Sequence, residues 1–227
     1  MLDAQPKHKM PHQAQEKIEY GLVEKKEVDA AVRIYLHSFP HRVHKWFHKE
    51  GHAIQFYRDM MELMRLAYGK TFFTARCNGQ LIGYLILTMP NRSLFPALLR
   101  EGFLLRVVAH ALLGRYGFSF SVLSRILQAF FALQNSSLES EPSDCPHVCV
   151  VAVDKRFTGR GIGSALIEQA RIACLEAFGR IWLYVEIENV GAIRLYERIG
   201  FRIVKSDPSQ HLMIWDFETS GIAGKAE

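Results

Sequence analysis

Residues 156–170 read RFTGRGIGSALIEQA, with glycine at 159, 161 and 163 and then an unbroken run of helix formers. Each glycine costs about 0.5–1 kcal/mol relative to alanine, so three in five positions imply positive φ or close approach of another group to the backbone. At the mouth of a helix that group is an anion, because four backbone N–H groups lack partners there and the helix dipole adds about half a positive charge. The turn reads as a phosphate cradle. A nucleoside-triphosphate loop needs Lys-Ser/Thr after its last glycine, whereas Ser164-Ala165 follow Gly163. A dinucleotide fingerprint needs glycine or alanine in its third place, where counting from Gly159 or Gly161 gives Ser164 or Leu166.

Two further groups have chemical capacity. His37, His41, His44, His48 and His52 recur every three or four residues, a spacing that on one continuous helix stacks imidazoles on one face. Pro40 interrupts that helix, and no carboxylate or cysteine completes a ligand set. The histidines therefore read as a wet, titratable wall beside a ligand site, and no metal is expected. In CPHVC, Cys145, His147 and Cys149 converge only if the segment is not a strand. Cys149 reads instead as a small hydrophobe buried in a sheet.

The elements that must position these groups follow from periodicity. KIEYGLV alternates as a strand, KEVDAAVRIYLHSF has helical spacing up to Pro40, and a second helix centres on FYRDMMELMRLAYG. TFFTARCNGQLIGYLILTM gives two strands around Asn78-Gly79, a strong hairpin signal. Residues 91–134 read as two inserted apolar, Arg-bearing helices, LFPALLREGFLLRVVAHALLGRYG and SFSVLSRILQAFFALQ. HVCVVAV and RIWLYVEI are short apolar runs typical of buried strands. A helix follows each of them, the second closed by Gly200, and FRIVK and HLMIWDF make a terminal strand pair. The class is α/β, with residues 17–217 as one domain, 1–16 a disordered segment and 218–227 a tail.

VVAVDKRFTGRGIGSALIEQA resembles the acyl-CoA motif of the GNAT superfamily of N-acetyltransferases, a strand followed by R/Q-x-x-G-x-G/A at a helix start. Thr158, Gly161 and Gly163 fill the three places, with Thr158 standing where the family has Arg or Gln. ENVGAIRLYERIGF is similar to the family's N-x-x-A-x-x-L-Y-x-x-x-G-F through Asn189, Ala192, Leu195, Tyr196, Gly200 and Phe201. The likeness is strong over roughly 147–217, and the earlier elements match by order alone. It implies a mixed, mostly antiparallel sheet flanked by helices.

The resemblance further implies acetyl transfer from acetyl-CoA to an amine. Backbone amides near Val151 and Val153 would hold the pantetheine arm and polarise the thioester, and the amides of Gly159, Arg160, Gly161, Ile162, Gly163 and Ser164 would hold the pyrophosphate, with Thr158 and Asn189 beside the cofactor. An alkyl ammonium of pKa about 10.4 is neutral about once in 2,500 molecules at pH 7, so a group must take its proton. Glu186 is the first candidate, His147 the second and Asp154 the third. Tyr196 fills the family's place for the acid that protonates the leaving thiolate.

Composition narrows the partners. The chain has 227 residues, 49% of them hydrophobic, and 28 Lys and Arg against 23 Asp and Glu give +5. That modest excess suits an anionic ligand, while the lack of charge blocks and RNA-binding aromatic motifs argues against nucleic acid. Four cysteines without a framework and an N-terminus without an apolar run point to a reducing cytoplasm. The acceptor is expected to be a small-molecule amine; the alternatives are a protein N-terminus or lysine, or a non-catalytic acyl-CoA-binding module. The inserted helices are expected to wall the acceptor cleft, with a homodimer contact or a membrane surface as the other uses of their apolar face.

Overall fold

The computed structural model describes residues 17–47, 49–90, 94–117, 142 and 144–217. The segment read as disordered, the second inserted helix with its loop to 141, and the tail lie outside them. Strand β1 (Ile18–Leu22) leads into helices α1 (Val28–Ser38), α2 (Pro40–Trp46) and α3 (Glu50–Tyr68), then strands β2 (Phe72–Cys77) and β3 (Gln80–Thr88). Asn78 and Gly79 take φ of 50° and 74°, the left-handed pair that a two-residue hairpin turn requires. The insertion supplies α4 (Phe95–Leu99) and α5 (Phe103–Leu112). The second half gives β4 (His147–Val153), α6 (Ile162–Phe178), β5 (Arg180–Glu186), α7 (Val190–Ile199), β6 (Arg202–Ser206) and β7 (Gln210–Asp216).

The seven strands lie in the order β1-β2-β3-β4-β5-β7-β6, and every neighbouring pair is antiparallel except β4 with β5. Apolar residues face both ways. One core joins Leu85, Leu87, Ile181, Leu183 and Met213 to Leu166, Ile167 and Ala170 of α6 and Tyr196 of α7. The other joins Tyr84, Ile86 and Ala152 to Ala31 and Val32 of α1 and to Ala53, Tyr57, Met61 and Met64 of α3. The sheet is thus sandwiched between α1–α3 and α6–α7.

The single helix expected over 94–117 is broken. Glu101 and Gly102 adopt left-handed φ of 52° and 64°, and Glu101 turns its carboxylate to Lys25 at 3.2 Å and Arg65 at 3.6 Å. The described part of the insertion does not wall the sheet cleft. It lies on α3, where Ala97, Leu98 and Phe103 pack against Leu63. Buried Asp59 anchors it, accepting hydrogen bonds from Tyr116 Oη at 2.7 Å, His110 Nδ1 at 2.7 Å and Gln55 Nε2 at 3.1 Å. Arg106 Nε lies 3.3 Å from the same carboxylate. Three contacts from the insertion, by Tyr116, His110 and Arg106, on this buried carboxylate of α3 hold these residues over α3 rather than over the strand gap.

Candidate active site

Strands β4 and β5 meet at one register pair, His147 with Trp182, reinforced by the Trp182 N–H to Pro146 O bond at 3.1 Å. Beyond it they separate, and among the described residues β4 presents an unpaired edge. Asp154 N–H donates to Ile82 O of β3 at 2.8 Å, so by strand alternation Ala152 also faces β3, while Val151 and Val153 turn their N–H and C=O groups to the open gap. Earlier in the strand, Ile86 pairs with Val150 and Leu87 with Val148, which leaves Cys149 as a bulge. The bulge corrects one expectation. Cys149 is exposed rather than buried in the sheet, although desolvation pushes its thiol up to about 11.

The gap ends at the glycine turn. Asp154 caps a short turn by accepting from Arg156 N at 3.0 Å, Thr158 Oγ1 donates to Lys155 O at 2.9 Å, and the Arg160 guanidinium sits 4.9 Å above the Phe157 ring. Gly159 and Gly161 take φ of +78° and +77°, and a Cβ at either would meet nothing among the described residues within 4 Å. Their bareness serves open space, as a cradle for a ligand requires. Gly163 differs: it is helical, and its Cβ would stand 3.5 Å from Leu195 Cδ2, an ordinary contact, so neither backbone nor packing within the described fold demands glycine there. The first intrahelical bond runs from Ala165 N–H to Gly161 O, which places the amides of Ile162, Gly163 and Ser164 ahead of the ladder.

The candidate proton-transfer residues occupy different surroundings. His147 stacks on Trp182 with ring centroids 4.0 Å apart, and burial lowers its pKa to about 4, so it is a neutral, weak base at the closed end of the gap. Asp154 is held below the usual carboxylate range, chiefly by the Arg156 side chain, and is likewise a poor proton acceptor. Glu186 is exposed at the open end of β5, where its Oε1 accepts from Arg42 Nε at 2.8 Å. Tyr196 is buried between α6 and the sheet, and burial pushes its phenol up to about 12. Asn189 is exposed and caps α7, its side-chain oxygen accepting from Ala192 N–H at 3.2 Å.

Of the histidines, His37 closes on Arg33 O at 2.8 Å at the end of α1, His41 and His44 are exposed on α2, and His52 lies under Gly117. The break at Phe39, where φ is −127°, prevents a common face, and His48 lies outside the described residues. Among the described residues no three His, Cys, Asp or Glu side chains are placed to hold a metal. No described helix is long and apolar enough to cross a membrane. Arg42 is the residue that sequence reasoning missed: nothing in one arginine on a seven-residue helix signals a partner 144 positions away.

A parallel strand pair that opens after one register position and runs into a bare glycine turn at a helix start is one arrangement, and it lies within the region matched by the model of the "Acetyltransferase (GNAT) family", residues 29–201. The chain belongs to the GNAT acetyltransferase family. Among its relatives, an uncharacterised N-acetyltransferase of Methanocaldococcus jannaschii is 43% identical over 63 residues, 27% of each chain. A mycothiol acetyltransferase of Corynebacterium jeikeium is 42% identical over 61 residues, 26% of this chain and 18% of that one. The aligned stretches thus span well under a third of either relative. The crystal structure of the PaiA N-acetyltransferase of Thermoplasma acidophilum, in complex with coenzyme A, shares the GNAT fold at TM-score 0.53 and 13% identity, over 88% of this chain and 99% of the other.

Proposed function

We propose that the protein transfers an acetyl group from acetyl-CoA to the primary amine of a small molecule. The observation that carries this reading is the continuity of the open β4 edge with the unpaired amides at the start of α6. A long ligand with a polar arm and a phosphate end fits a line of strand-edge groups that terminates in a helix N-terminus. The residues present fit coenzyme A on that ground, with two bare, left-handed glycines where phosphate oxygens must come close.

Acetyl-CoA supplies the acetyl thioester; the chain supplies position, polarity and proton transfer. The amides of Gly159 to Ser164 hold the pyrophosphate, and those of Val151 and Val153 align the arm and polarise the carbonyl. The Arg160 side chain flanks the turn and adds positive charge, while Thr158 and Asn189 fix the local turn and the α7 cap. The neutral amine attacks the carbonyl carbon, the N–C bond forms and the C–S bond breaks, so that amine and thioester become amide and thiol. Glu186, directly or through water, takes the proton the nitrogen sheds. Tyr196 gives its phenolic proton to the departing sulfur, and the desolvation that raises the phenol also raises the proton affinity of a thiolate.

We place the enzyme in a reducing compartment, consistent with four free cysteines, one of them exposed. The test is release of free thiol from acetyl-CoA in the presence of a mixed panel of primary amines, lysine peptides and peptides with free N-termini. Turnover with small amines alone supports the reading. Turnover with peptides alone assigns a protein acceptor, and saturable binding without turnover on any amine assigns a binding module.

A further inference from the structure

The acceptor side of the gap is closed by an unusual ion pair. Arg42 comes from α2, packed on one face of the sheet, and Glu186 from the end of β5, so their bond at 2.8 Å spans the mouth that β4 and β5 leave open. The guanidinium is steadied by an aromatic wall: it lies 5.4 Å from the centroid of the Phe39 ring. Tyr35 packs against Phe39 and Tyr57, with ring centroids 4.9 Å and 4.6 Å apart. Yet Arg42 and Glu186 are each about half-exposed, at 49% and 51%.

Two magnitudes decide what such a pair is for. A half-exposed pair contributes only about 0–1 kcal/mol, so it holds little of the fold together and opens cheaply. A guanidinium whose fork receives a carboxylate in bidentate fashion gains about twice the strength of a neutral hydrogen bond. The recorded bond engages Nε with one oxygen, Oε1. A ligand bearing one charge would leave either Arg42 or Glu186 without its partner. A ligand bearing both charges close together replaces each partner with its like: its carboxylate takes Arg42, its ammonium takes Glu186, and the site stays neutral.

On the acetyl-transfer reading above, we propose that the acceptor is an amino acid or a similarly compact zwitterion, entering by exchange with the Arg42–Glu186 pair. Arg42 is then the specificity-determining residue. Its exchange turns Glu186 from a guanidinium partner into the group that faces the amine, and substrate binding thereby readies the proton acceptor.

The experiment compares phenylalanine with phenylalanine amide and phenethylamine, and leucine with leucinamide and isoamylamine, in thiol-release kinetics and in thermal-shift binding. The free amino acids are expected to exceed their amides and decarboxylated amines by about 10-fold or more in kcat/KM, the scale of one hydrogen bond to a charged group at a half-exposed site. In Arg42→Gln that ratio should collapse toward one, mainly through KM, while Arg42→Lys restores part of it. Equal turnover of acids and amines by the native protein overturns the zwitterion and leaves acetyl transfer standing, and needs no variant. Binding of amino acids that is lost in Arg42→Gln, without any turnover, keeps the zwitterion site and overturns acetyl transfer. An unchanged ratio in a folded Arg42→Gln protein overturns the role of Arg42.

Discussion

Replacing Gly161 and Gly163 by alanine separates a left-handed position in the ligand cradle from a helical position beside it. At Gly161 φ is +77° and an added Cβ meets no atom of the described residues within 4 Å, so Gly161→Ala carries backbone strain of about 1–2 kcal/mol and no steric clash with the described fold. The same methyl enters the space assigned to the pyrophosphate. At Gly163 the backbone is helical and the Cβ would rest 3.5 Å from Leu195 Cδ2, an ordinary contact. Gly163→Ala should gain up to about 1 kcal/mol of helix stability and keep acetyl-CoA affinity within about twofold. Gly161→Ala should lose at least about tenfold in affinity, which is about 1.4 kcal/mol, beyond any change in unfolding free energy. Titration calorimetry with acetyl-CoA and with CoA, beside urea unfolding of each variant, reads both quantities. Native affinity in a folded Gly161→Ala protein would refute the assignment of phosphate to these amides.

Other outcomes follow from the same geometry. Tyr196→Phe should keep acetyl-CoA affinity and lose about 10²–10⁴-fold in kcat, checked by single-turnover rates; an unchanged chemical step returns Tyr196 to a purely packing role. His147 is depressed from about 6.5 to about 4, so the unfolded chain binds the extra proton as pH falls through 6.5. Stability is retained above that pH and declines below it, by about 2 kcal/mol at pH 5 and more toward pH 4. His147→Phe keeps a ring on Trp182 and should flatten this part of the stability profile measured by urea unfolding from pH 5 to 8. Asp59→Ala should lower unfolding free energy by about 3–5 kcal/mol, because it strands Tyr116 and His110 around a lost carboxylate. A loss below about 1 kcal/mol would show that Asp59 does not anchor the insertion.

The second half of the fold was legible because its signals are local. Glycine punctuation, apolar strand runs and the Asn189 to Phe201 helix need only neighbours in sequence to act, and Asn78-Gly79 fixed its hairpin for the same reason. What escaped is set at a distance. The β4 bulge that exposes Cys149 depends on register with β3, which an apolar alternation does not reveal. Glu101, an ordinary helix former, takes left-handed φ beside Gly102, where α4 and α5 turn to pack around Leu63 of α3, so 94–117 breaks where its periodicity runs on. Asp59 reads as one polar position on an amphipathic helix until the insertion folds back over it. Glu186 could be nominated from its strand end, but its partner Arg42 arrives from another layer of the molecule.

The most direct test is a progress curve: free thiol released from acetyl-CoA by the purified protein with a panel of primary amines, with the acylated product identified by mass. The account predicts amine-dependent release, stoichiometric with an amine heavier by one acetyl group, that Tyr196→Phe slows and Gly161→Ala weakens through the KM for acetyl-CoA. Saturable acetyl-CoA binding with no amine-dependent thiol release, or release that yields acetate and leaves every amine unmodified, would contradict it.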